Sequence, residues 1–568
     1  MLKNHCFPKR KTKSSRSKQE STSTGTMTSN FSSFKKLTSR AFSYLLDAQQ
    51  QHPSIVAYTR YSLPRKYTYA RPNFLELDEE ATIASSDHEI RPVILPKRPL
   101  IMNAGYAEVI NAGKTPQTNE DQATFCSFVI TVPQNMREEG WTKEQCQLPC
   151  VYFAVFDGHA GYDAALFAQN RLHFHVKERL TQISNMLVMP QDEIERKYFT
   201  MGLIMDIDAD KLIIGALEEA FHTFDDELRQ ERFDFHVQGG CTVVVCVIIK
   251  GKLYVAGAGD SRAVLYRDNN PVAMSRDHTP ESERKRIQTV TCYNPDLVRG
   301  EYTPLQFQHR CRKKDLGTRQ LYRNHLMDGW SFKVVDKNDL KPQVICGEGK
   351  RARLLDTIGT TRGFGDHDLE VPYMDGLKIK PFMLSSPEVF VYDLENETFS
   401  DEDVLVMATD GLWERLTNEN VGELVNTTLK KHSLEENRKY LVAAQALVDE
   451  SRGVLSERGW RTIDNAPATY DDVSVFVIPL KEWKRTLDLV VRSTRPGSSV
   501  ILAGEEYCNI PHNPLSVIGD RLTEAELDDV TKGYDDVSKT VELRGLENQR
   551  KRANESLDEG PQEKAMQN

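Results

Sequence analysis

VYFAVFDGHAG, residues 151–161, begins as a β-type run and ends in a carboxylate followed at once by Gly158 and His159. A strand that terminates in Asp carries that carboxylate to the edge of its sheet, where others can meet it. Four more acidic landmarks are spread along the chain: Asn119-Glu120-Asp121, Gly259-Asp260-Ser261-Arg262, Thr409-Asp410-Gly411 and Asp471-Asp472. Two of these also border β-type runs, Val404–Ala408 before Asp410 and Val473–Ile478 after Asp472. Gathered carboxylates repel one another, and bound cations are the usual remedy. Ligand sets made only of oxygen favour hard ions such as Mg²⁺ or Mn²⁺ over zinc. A single Asp-Gly pair is ordinarily a turn, so the weight lies on the set. It reads as a multi-carboxylate, two-metal hydrolytic site.

The rest of the chain limits the alternatives. Its 568 residues can bury a large core. Hydrophobic content of 39% and charged content of 27% are those of a soluble protein. The net charge of −10 argues against a dedicated nucleic-acid binder. The N-terminus is basic but lacks the apolar core of a signal peptide. A cytosolic or nuclear protein with reduced cysteines is therefore expected, the cytoplasm being favoured, with any membrane contact peripheral.

Residues 1–50 read as a disordered basic segment, with ten Lys or Arg and one acid in the first forty. Within it Phe31, Phe34, Leu37, Ala41 and Leu45 recur at helical spacing among Lys35, Lys36 and Arg40. Such a segment, 31–46, suits an anionic membrane surface or a partner, and equally a helix that caps the main domain. Residues 51–97 are read as an N-terminal extension and 98–482 as the main domain. Strand-like runs are expected at 151–156, 241–249, 253–256, 263–266, 404–408 and 473–478. Helices are expected at 164–180, 213–232, 420–429 and 436–450. A long, locally basic stretch, 279–352, interrupts the domain; it is a binding element or a solvated insertion. Residues 483–568 read as a C-terminal extension, largely disordered.

The landmarks, in order, resemble the metal-dependent protein phosphatases, the PPM or type 2C serine/threonine family. The resemblance is carried by NEDQ at 119–122, FDGHAG at 156–161, GGCT at 239–242 and GAGDSRAVL at 257–265. It continues through GTTRGFGD at 359–366, ATDGLWE at 408–414 and DDVSVFVI at 471–478. GYAEVINAGKT, RPNFLEL at 71–77 and AQNRLH at 168–173 are similar to the H/J/M branch.

That resemblance implies an α+β fold, a four-layer α-β-β-α sandwich of two antiparallel sheets flanked by helices. It implies hydrolysis of phosphoserine and phosphothreonine by a water bridging two Mg²⁺ or Mn²⁺ ions. Asp157 would bridge the ions, with the Gly158 carbonyl beside it. Asp410 and Asp471 would complete one site and Glu120 would serve the other. Asp121 would orient the water, Asp260 would share a third, weaker ion with Asp410, and His159 would be the general acid. Arg362 and Asp366 would support the site. Residues 279–352 would be the flap that influences substrate choice, and a basic flap would suit acidic or phosphorylated surroundings. The implied partner is a phosphoprotein, with a phosphorylated small GTPase and a homodimer suggested by the branch. Two departures stand out. Pro116 occupies the place of a phosphate-gripping Arg, leaving Lys114 as the nearest cation for phosphate binding, and Asp472 stands where many members have Asn. Two rival readings remain, an inactive regulatory protein of the same fold and a membrane-recruitment adaptor.

Overall fold

The computed structural model of the chain describes residues 63–110, 118–138, 140–190, 192–194, 196, 208–372, 374–434 and 438–493. The expectations for residues 1–50, Lys114, Pro116 and the chain beyond 493 fall outside them.

Ten strands build two sheets: β1 Gly105–Val109, β2 Gln122–Thr131, β3 Gln147–His159, β4 Gly240–Ile249, β5 Lys252–Ala258, β6 Arg262–Arg267, β7 Asn270–Ala273, β8 Glu388–Asp393, β9 Val404–Ala408 and β10 Val473–Pro479. One sheet has the order β1-β10-β9-β6-β7 and the other β8-β5-β4-β3-β2, with the short strand Phe364–Gly365 added beside β4. Every pairing in both is antiparallel. The longer helices among the described residues are α1 Asp163–Gln182, α2 Ala209–Glu231, α3 Arg284–Tyr293, α4 Asn418–Lys431, α5 Lys439–Arg452 and α6 Trp483–Ser493.

Period-two alternation decides which side each strand residue faces. In β3, Val151, Phe153 and Val155 point between the sheets, while Tyr152, Ala154 and Phe156 point outward under helices. β4 is buried along its whole length, as a central strand covered on both faces must be. Helix α2 is set by its ends and its stripe. Asp208 caps it by accepting from the Lys211 N–H at 2.8 Å. Ile213, Leu217, Phe221, Phe224 and Leu228 then recur at helical spacing and, with α1, cover the outer face of the second sheet. Helices α4 and α5 cover the outer face of the first sheet in the same way. The layers are therefore α-β-β-α, as the sequence motifs implied.

Packing continues beyond residues 98 and 482. Phe74, Leu75, Trp483, Leu487 and Val490 all join the cluster between the sheets. The flap has its own supports. Ile287 of α3 packs with Val298, Val344, Leu354 and Phe382. A three-stranded sheet of Gln306–Phe307, Arg319–Arg323 and Ser331–Val334 closes over Phe307, Cys311 and Val335. Among the described residues no helix is long and apolar enough to cross a membrane.

Candidate active site

Antiparallel register gathers the acidic landmarks at one end of the sandwich. Gln122 at the start of β2 lies opposite Phe156 near the end of β3, so Glu120 and Asp121 approach Asp157. Ala408 at the end of β9 faces both Val475 near the start of β10 and Arg262 at the start of β6. Asp410 lies two residues after Ala408, Asp260 two before Arg262, and Asp471 two before the first residue of β10. The Asp410 N–H donates to Asp157 Oδ2 at 3.3 Å. Asp157 feels the charges of Asp410, Asp121, Asp471 and Asp260. Gly158 allows the approach, because a Cβ there would lie 2.3 Å from the Glu120 carbonyl oxygen.

The loop that carries Glu120 and Asp121 is pinned from several sides. Asp472 Oδ2 accepts from the Glu120 N–H at 2.8 Å, and Glu120 Oε1 accepts from the Gly161 N–H at 2.8 Å. Thr409 donates its hydroxyl to Asp121 Oδ2 at 2.8 Å. Arg71 is buried, paired with Glu108, and donates to the carbonyls of Asp121 at 2.6 Å and Asn119 at 3.2 Å. The RPNFLEL stretch thus has a physical task, clamping the acidic loop to β1. Asp472, a small departure by sequence, proves to be one of the fastenings.

His159, at the end of β3, meets Asp366 across the sheet, with Nε2 and Oδ2 2.7 Å apart. Burial alone would lower the imidazole pKa, but the charge and hydrogen bond of Asp366 outweigh it and the net shift is upward. The GGCT motif makes room for this pair. A Cβ on Gly240 would lie 2.3 Å from Asp366 Oδ2, and one on Gly239, whose φ is +70°, would lie 2.0 Å from the His159 carbonyl oxygen. Arg362 instead forks onto Glu283, with contacts of 3.1 and 2.7 Å. His173 is buried, and burial takes its pKa down to about 3. His278 accepts from the Gly259 N–H at 3.3 Å.

These donors suit divalent cations. Burial, and after it the charge of Asp410 with those of its neighbours, pushes the Asp157 carboxyl well above its usual range. Burial and then Asp472 do the same to Asp121, and burial with Asp277 takes Asp260 up to about 6. Carboxylates so crowded are costly to ionise unless positive charge is brought to them. Asp410, Glu414 and Asp471 each offer a carboxylate oxygen within 4.8 Å of the others. Glu414 was not foreseen as part of this group. It lies one helical turn after Asp410, a spacing visible in ATDGLWE.

A family model described as Protein phosphatase 2C matches residues 117–292 and 342–458, just over half of the chain. The chain is similar to Protein phosphatase 1H of Xenopus tropicalis, 39% identical over 484 residues that cover 74% of this chain and 94% of that protein. It is similar to Protein phosphatase 1H of Homo sapiens, 39% identical over 480 residues covering 74% and 92%. Protein phosphatase 1J of Mus musculus is 40% identical over 438 residues, covering 73% and 86%. Together with the sandwich and its strand-end carboxylates, these matches show that the chain belongs to the protein phosphatase 2C family and is a serine/threonine protein phosphatase.

Proposed function

We propose that the chain hydrolyses phosphoserine and phosphothreonine esters of proteins with two divalent cations, Mg²⁺ or Mn²⁺, at the strand-end carboxylates. The observation that carries this reading is the crowding around Asp157, whose ionisation is opposed by burial and by four neighbouring acids. Asp157 would hold both ions, with the Gly158 carbonyl as a further ligand beside it, Asp410 and Asp471 would hold one of them, and Glu120 the other. Asp260 would share a weaker third position with Asp410. Ions bound there would acidify a water and offset the charge of the phosphoryl oxygens.

The chain's own groups supply the remainder. Asp121, fixed by the Thr409 hydroxyl, orients the attacking water. His159 gives a proton to the departing seryl or threonyl oxygen. Its Nε2 is engaged by Asp366, so Nδ1–H is the proton that meets the substrate, and Asp366 steadies the charged ring. Lys114 is the cation assigned to the phosphate.

The deciding experiment is hydrolysis of a phosphothreonine peptide with Mn²⁺, with Mg²⁺ and with EDTA, beside Asp157→Ala. Turnover that requires metal and disappears in the variant is expected, together with loss of Mn²⁺ binding by calorimetry. Turnover that survives EDTA, or a variant that binds Mn²⁺ as the parent does, would overturn the assignment.

A further inference from the structure

The flap carries an unguarded surface. Its edge strand, Ser331–Val334, pairs with Arg319–Arg323 on one side and with no described strand on the other. Along one face of this edge Trp330, Phe332 and Val334 are 43, 56 and 56% exposed. Proteins ordinarily blunt such an edge with an outward charge. The only charge on the strand, Lys333, is instead held by Asp336 and Asp339. Register puts Leu321 opposite Phe332 and Arg319 opposite Val334, so the apolar stripe shares its face with arginines. The Arg319 guanidinium lies 4.8 Å from the Phe332 ring centre, and that of Arg323 lies 4.7 Å from the Trp330 ring.

Charge selects the occupant. Residues 279–352 hold fifteen Lys or Arg against nine Asp or Glu, a net +6 in a chain whose total is −10. Two such surfaces repel one another, which disfavours a second copy across this edge, and they attract an acidic segment. An extended segment can complete an open edge through backbone hydrogen bonds while alternate side chains lie on the aromatic stripe. The position suits a substrate. Arg323 joins Glu281 at 2.7 Å, and two residues on Glu283 holds Arg362, close in sequence to the Asp366 that meets His159.

We propose that this edge and its aromatic–arginine face dock an extended acidic segment of the phosphoprotein substrate, outside the phosphorylated residue itself. The proposal rests on the phosphatase reading and names how that site chooses its substrate.

The test uses the full-length protein and two phosphothreonine peptides with one core sequence. One is extended by alternating Glu and Val, the other by Gly and Ser. The acidic extension is expected to lower KM roughly five- to tenfold with kcat unchanged. Phe332→Glu and Arg319→Glu should each bring the KM ratio of the two peptides close to one. The Glu-Val segment without phosphate should bind directly, read by fluorescence anisotropy, and should compete with the extended peptide. Equal KM values in the parent, a ratio that persists in both variants, or no binding of the free segment would overturn the proposal. So would a ratio unmoved in Phe332→Glu while a dimer becomes a monomer in sedimentation, which would assign the face to a second copy. Turnover of p-nitrophenyl phosphate reads the chemistry separately. Its absence in the parent would count against the phosphatase reading, while anisotropy would still decide the docking.

Discussion

Asp366 adopts a φ of 52°, a left-handed conformation that costs most side chains about 1 kcal/mol and that Asp tolerates better than most. The conformation brings its carboxylate to His159, and the bare backbone of Gly240 leaves room for it. A proton donor held this way matters only when the leaving group needs a proton. His159→Ala should therefore cut turnover of a phosphothreonine peptide by roughly 10²–10⁴-fold. Asp366→Asn, which keeps the shape and removes the charge, should cost less, on the order of tenfold or more. Both should spare p-nitrophenyl phosphate, whose leaving group departs without protonation; an equal loss on both substrates would show that His159 is not the acid. Glu120, Asp121, Asp157, Asp260, Asp410 and Asp471 can be singled out in the sequence because each sits near a strand end inside a motif, whereas Glu414, inside a helical turn, cannot on that ground. The partnership of Asp366 with His159 was not legible, because 207 positions separate them and only the sheet register joins them. The buried Arg71–Glu108 pair was hidden because nothing in RPNFLEL says which acid, 37 positions on, its arginine meets.

At the scale of elements, the junction of flap and sandwich depends on Glu283, at the N-terminus of α3. Burial would raise its pKa, but Arg362 and Arg286 outweigh burial and hold it at about 2, against an ordinary 4.5. Because the folded value lies below the unfolded one, the stabilisation is complete above about pH 4.5 and is lost as pH falls toward about 2. Glu283→Gln leaves two guanidinium groups without their counter-charge in a site where the Glu side chain is 11% exposed. A loss of about 2–4 kcal/mol at neutral pH is expected from urea unfolding, shrinking at about pH 3. A deficit independent of pH would mean that packing, not charge, holds the flap. Element legibility followed burial. The apolar run of β4 from Val243 to Ile249 and the stripe of α2 read directly from sequence. β1 did not, since it carries Glu108, buried against Arg71 and the Tyr106 hydroxyl, and the short exposed edge β7 has no apolar pattern to read.

For the whole molecule, composition and periodicity yield strands and helices, but they do not yield the order of strands in two sheets. The motif resemblance supplied the two antiparallel sheets and their layers but not the order of strands, which the structure gives, and the register then explains why distant acids meet. Neither source announced that the inter-sheet core is closed by α6. WKRTLDLVVRS places Trp483, Leu487 and Val490 on one face at helical spacing, and that face packs against β2 and β3. Sandwich cores are open at their ends, and a large apolar side chain seated there replaces water over much of its surface. Trp483→Ala removes such a side chain, 9% exposed, and should cost about 3 kcal/mol by urea unfolding. The strand-end site lies on other elements, so kcat of the folded fraction should hold while the unfolding midpoint drops. A variant as stable as its parent would show that α6 merely rests on the sandwich. A variant with normal stability and reduced kcat would instead tie this helix to the site.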